Sequence, residues 1–171
     1  IYTYYNLIYS QGIDKYVSKA KEFGVDGMLT LDLPPEESTE LVESCQKYGM
    51  KNIFIVAPTT PVSRIPIIVK QASGFVYYVS REGVTGVRND LAGDLDQRVK
   101  EIRRHTDLPV VVGFGISTPE QVKGVAACSD GVVVGSVLVN CISENLGNQD
   151  SILENIGMKS RLLTTEVLEK V

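Results

Sequence analysis

Two segments of this chain are the best suited to chemistry: Val110-Val111-Val112-Gly113-Phe114-Gly115-Ile116-Ser117 and Gly131-Val132-Val133-Val134-Gly135-Ser136. Each is a short, apolar, β-branched run that ends in glycine and serine where a helical pattern begins. A buried strand that stops at glycine and passes into a helix N-terminus leaves backbone N–H groups free to hold an anion. The helix dipole adds to that attraction. Two such ends side by side, from the last two strands of an α/β barrel, make a phosphate cup. The pair points to a phosphorylated small molecule without naming a reaction. Glycines also simply end strands, and local sequence alone leaves that reading open.

These segments need a scaffold, and the 171 residues suffice for one domain with a real core. Apolar residues make up 43% and charged residues 22%, as in an ordinary globular protein. The net charge of -4 argues against nucleic acid as a partner, because its phosphates are repelled. No apolar run approaches the ~20 residues that span a bilayer, so no membrane partner is expected. Cys45, Cys128 and Cys141 are odd in number and widely spaced. They read as small buried residues in a reducing, cytoplasmic compartment. The only histidine is His105, expected to be exposed near a helix C-terminus, and no cysteine pair has ligand spacing, so no metal site is expected.

Six continuous apolar runs read as strands: Ile1–Tyr5, Met28–Leu31, Ile53–Ala57, Phe75–Val79, Val110–Phe114 and Val132–Val134. Continuous runs suit strands buried on both faces of a parallel sheet. Helical stripes lie between them. Ile13, Tyr16, Val17, Ala20 and Phe23 share one face closed by Gly24, and Leu41, Val42, Cys45 and Tyr48 share another closed by Gly49. Pro34 and Pro35 are expected to precede that second helix, with Glu36 and Glu37 in its first turn. A third helix starts near Ser63, a fourth runs between Asp94 and His105, and a fifth opens with a capping box over Ser117-Thr118-Pro119-Glu120. A sixth helix is expected over about Val137–Glu144, and a last helix, or two short ones, over roughly Ser151–Lys170. The longest non-helical stretch, Ser80 to Gly93, is placed like an active-site lid.

This βα alternation fits right-handed βαβ units. A doubly wound open sheet needs five or six units, whereas a closed (β/α)8 TIM barrel needs eight units and ~250 residues. The paired glycine–serine strand ends favour the barrel. The chain starts at Ile1, inside a strand-like run, so the expectation is one barrel domain over 1–171 with six βα units present and the first two absent.

Several segments carry a family resemblance: Tyr4-Tyr5-Asn6, Asp32-Leu33-Pro34-Pro35-Glu36-Glu37, Ala57-Pro58-Thr59-Thr60-Pro61, Tyr77 through Gly86, Gly113-Phe114-Gly115-Ile116-Ser117 and Gly135-Ser136. In order and spacing the chain resembles the tryptophan synthase alpha chain family, from its third strand to its C-terminus. The resemblance implies a (β/α)8 lyase that cleaves indole-3-glycerol phosphate to indole and glyceraldehyde 3-phosphate. It uses acid/base catalysis without metal or organic cofactor. The indole passes to a beta subunit in an alpha2-beta2 heterotetramer.

By that resemblance Gly86, Gly115, Gly135 and Ser136 hold the phosphate. Tyr77 bonds the glycerol hydroxyl, Tyr4 lies near the substrate, and Leu29, Phe114 and Val133 line the indole site. Thr85 in the lid bonds Asp32 on closure, while Asn6, Tyr9 and Pro34 face the beta subunit. Each has a plainer reading: core tyrosines, a barrel interior, surface loops and, for Asp32, a helix cap. The family's acid/base carboxylates lie in segments this sequence does not contain, so the 171 residues alone are expected to be inactive as a lyase. Two other readings stay open. One is a non-catalytic regulator of the beta subunit; the other is a different phosphate-binding barrel enzyme of tryptophan or histidine biosynthesis.

Overall fold

The computed structural model describes residues 1–80, 89–113 and 115–168. They fall into two compact units. The first holds Ile1–Tyr78 with Glu101–Val110, and the second holds the other described residues.

In the first unit the chain runs β1 (Tyr2–Thr3), α1 (Tyr5–Tyr9), α2 (Ile13–Glu22), β2 (Gly27–Thr30), α3 (Thr39–Lys47), β3 (Lys51–Val56), α4 (Ile65–Gln71) and into β4 (Val76–Val79). The strands pair in chain order and in parallel. Register fixes what each face carries. Tyr2 lies opposite Leu29, Leu29 opposite Ile53, and Ile55 opposite Tyr77, so these residues share one face. Met28 points to the other face, where Ile8, Ile13, Val17, Leu41 and Cys45 bury against it. α2 forms because Ile13, Val17 and Ala20 repeat on one side, with Asp14 in the first turn and Lys19 and Lys21 in the last. Gly24, at φ +81°, turns the chain away.

In the second unit Val111 to Gly113 of β5 (Val110–Gly113) pair in parallel with β6 (Gly131–Val133), placing Gly113 opposite Val133. It also contains α6 (Pro119–Ala126), α7 (Ser136–Ser143) and α8 (Gln149–Leu168). α8 packs along α6 and α7. The backbone of α5 (Asn89–Arg103) contributes its end to the first unit and its start to the second.

Several boundaries differ from the sequence expectation. Tyr5 is helical, not extended, because α1 begins directly after Tyr4. Phe23 is 78% exposed, since it caps α2 instead of lying within it. Pro35–Glu37 form a separate 3-10 turn, and α3 starts only at Thr39. Asn89 to Gly93, expected to be non-helical, lie in α5, which begins at Asn89; the rest of that expected lid, residues 81–88, lies outside the described residues.

Candidate functional site

In the second unit the ends of β5 and β6 lie side by side, and Gly115 and Gly135 each come two residues after the paired Gly113 and Val133. Gly115 takes φ +71°, a left-handed turn that a side chain would strain. The helix starts beyond these two glycines differ. The N-terminus of α6 is sealed by a capping box. Gln121 Oε1 accepts the N–H groups of Ser117 (2.8 Å) and Thr118 (3.1 Å), and Thr118 Oγ1 accepts that of Gln121 (3.3 Å). The expected box over Ser117 and Glu120 is therefore shifted by one residue. Pro119 is the reason: it has no N–H to lose at the first helical position, which makes Thr118 the cap.

The N-terminus of α7 is open. The Gly135 carbonyl accepts from Leu138 N (2.9 Å) and Val139 N (3.1 Å), closing the first turn. Helix geometry leaves the N–H groups of Gly135, Ser136 and Val137 without an intrahelical acceptor. Gly135 and Ser136 are exposed, and a Cβ built on Gly135 meets nothing within 4 Å. This end combines amides without an acceptor among the described residues, a serine hydroxyl, a helix dipole and open space, which together suit an anion. Val133 beside it is partly exposed. Thr85, Gly86 and Phe114 lie outside the described residues.

In the first unit Tyr77 and Leu29 are buried on the same sheet face. Burial, with a smaller contribution from the neighbouring Tyr2 phenol, pushes the Tyr77 hydroxyl above the ordinary tyrosine range, so it remains a neutral donor. Sequence reasoning misses Tyr2; counting two residues back from Tyr4 along an extended run finds it. Tyr4 is 57% exposed and serves as the N-cap residue of α1. Asp32 is exposed, and its Oδ1 accepts the backbone N–H of Tyr5 at 2.7 Å. Asp32 thus caps the helix after β1 across loops, not the helix that it precedes, which has no side-chain cap. Asn6 and Tyr9 are exposed on α1 and Pro34 is half-buried. The Tyr5 and Tyr9 rings lie 5.7 Å apart. His105 is exposed, as expected, with Nε2 3.3 Å from Glu101 Oε1. Among the described residues no cluster of histidine, cysteine or carboxylate could hold a metal ion, and no helix is long and apolar enough to cross a membrane.

The family model for the tryptophan synthase alpha chain matches residues 1–167. The chain belongs to the tryptophan synthase alpha chain family. It is 62% identical over 151 residues to the tryptophan synthase alpha chain of Opitutus terrae, covering 88% of this chain and 57% of that one. It is 46% identical over 155 residues to that of Methanoregula boonei, covering 90% and 58%. Among solved structures it is similar to the alpha subunit of Campylobacter jejuni (TM-score 0.81, 41% identity, 91% of this chain and 62% of that chain). It is also similar to a chain of the tryptophan synthase a2b2 complex of Pyrococcus furiosus (TM-score 0.83, 37% identity, 96% and 65%). The chain therefore spans less than three-fifths of the curated relatives' length. Its six strands are six βα units of the (β/α)8 barrel.

Proposed function

We propose that this chain supplies the phosphate-holding part of a lyase that cleaves indole-3-glycerol phosphate to indole and glyceraldehyde 3-phosphate in the cytoplasm. The observation that carries this reading is the N-terminus of α7, where the amides of Gly135, Ser136 and Val137 have no acceptor among the described residues at the end of a barrel strand. Membership of the tryptophan synthase alpha chain family supports it.

In this reading the substrate phosphate sits at Gly115, Gly135 and Ser136, completed by Gly86. Leu29, Phe114 and Val133 face the indole, and Tyr4 borders the substrate. Tyr77, kept protonated by burial, donates to a substrate hydroxyl. Asp32 meets Thr85 when the lid closes, and Asn6, Tyr9 and Pro34 contact a beta subunit in an alpha2-beta2 assembly. The cup supplies affinity and orientation; bond cleavage needs an acid/base carboxylate that no residue of this chain provides. The 171 residues alone bind the phosphorylated ligand and do not cleave it.

Calorimetric titration with glycerol 3-phosphate tests the cup, and an indole-release assay on the same sample tests the second statement. Saturable binding without indole release is the expected pair of results. Absence of binding overturns the assignment of the cup.

A further inference from the structure

The loop carrying Asp32 and Pro34 is held at both ends. At one end Asp32 Oδ1 accepts the Tyr5 N–H at 2.7 Å. At the other, Glu36 meets Arg64 in a two-bond fork, with Nη1 to Oε1 at 2.8 Å and Nη2 to Oε2 at 2.8 Å. Between them Leu33 and Pro35 are buried, and Ser38 Oγ donates to the Pro35 carbonyl at 2.8 Å. Pro34 and Pro35 fix two φ angles along the way. The elements tied together are the start of α1, the loop between β2 and α3, and the turn Val62–Arg64 before α4. These come after three successive strands within the first compact unit. An exposed ion pair adds little stability, but a fork of two parallel bonds fixes direction. The contribution of this pair is therefore geometric.

We propose that Arg64 is a positioning residue for Asp32. Through Glu36 it holds the loop so that Asp32 keeps one oxygen on the Tyr5 amide and presents the other. Oδ2 has no hydrogen-bond partner among the described residues. The use of that presented oxygen rests on the functional reading above; the clamp itself does not.

The Tyr5 amide reports on the clamp, because an amide bonded to a carboxylate shifts in the NMR spectrum as that carboxylate titrates. Arg64→Met keeps an unbranched stem and removes the fork. The expected result is a pH-dependent Tyr5 shift at least threefold smaller than in the parent, and Tyr5 amide exchange about tenfold faster, with the denaturation midpoint unchanged. Exchanging the charges, Glu36→Arg with Arg64→Glu, restores the shift. Asp32→Ala abolishes it. An unchanged Tyr5 titration in Arg64→Met, or one that survives Asp32→Ala, overturns the proposal. In the complete alpha subunit, Arg64→Met lowers kcat about tenfold with KM unchanged. Unaltered kcat despite a lost Tyr5 signal also overturns the role. A parent enzyme without lyase activity refutes the functional reading alone, since the Tyr5 signal still decides the clamp.

Discussion

Thr118 and Gln121 cap each other: the Thr118 N–H donates to Gln121 Oε1 at 3.1 Å, and the Gln121 N–H donates to Thr118 Oγ1 at 3.3 Å. The consequence reaches beyond α6. With that helix start satisfied internally, the beginning of α7 keeps amides that have no acceptor among the described residues.

Replacing Gln121 with alanine separates these roles. Gln121 is buried and also takes the Ser117 N–H, so its loss strands inward-facing donors. Chemical denaturation should show a loss of roughly 1–3 kcal/mol. Affinity for glycerol 3-phosphate at α7 should stay within twofold of the parent. A collapse in affinity at preserved stability would place the anion on α6 instead.

Gly135→Asp sets a carboxylate among the open amides. Nothing lies within 4 Å of the new Cβ, so the fold accommodates it. Repulsion between carboxylate and phosphate should remove detectable binding, while the melting temperature holds. Gly115→Ala is the counterpart. Its φ of +71° makes any side chain costly, by about 1–2 kcal/mol, so it should lose stability as well.

Asp14 ties α2 to α3. Its carboxylate accepts from Lys47 Nζ (2.9 Å), Tyr48 Oη (3.0 Å) and Ser44 Oγ (3.3 Å). The Lys47 bond first and the Tyr48 bond second hold its pKa below the ordinary 3.8. A lowered folded pKa contributes stability that is complete above the unfolded value and lost as pH falls through the folded one. Asp14→Asn should therefore flatten the acid limb of a stability–pH curve below about pH 4. Parallel curves for parent and variant would show that the cluster does not act through charge.

Cys45 makes the opposite, alkaline prediction. Burial pushes its thiol from 9.0 up to about 11. A raised folded pKa gives stability that is intact below the unfolded value and lost as pH rises from there towards 11. At pH 8 only about one thiol in a thousand is ionised, so native Cys45 should resist iodoacetamide until urea unfolds the chain. Peptide mapping after a timed pulse reads this directly. Labelling of Cys45 in the native protein would contradict its burial.

Most of this architecture is legible in residue order, for identifiable reasons. Runs such as Ile53-Phe54-Ile55-Val56 are apolar on both faces and so declare central parallel strands. The stripe Ile13, Val17, Ala20 declares a helix just as clearly. The hidden features depend on partners distant in sequence. Ile1 to Tyr5 favours a strand by composition, yet α1 starts at Tyr5, whose amide is taken by a carboxylate 27 residues away. Glu36 looks like a helix-opening acid until Arg64, 28 residues on, shows that it closes a fork. The glycine–serine ends announce the candidate cup, whereas the cap falls at Thr118, one residue later than the Ser117 spacing suggests, because Pro119 takes the first helical position.

The paired prolines beside Asp32 carry a consequence for kinetics. A surface whose backbone is already immobilised has little conformational entropy left to surrender. A molecule seating against Pro34 would incur almost no ordering cost there. Its association would be governed by encounter and dehydration, and differences in affinity would be written chiefly in how fast it leaves.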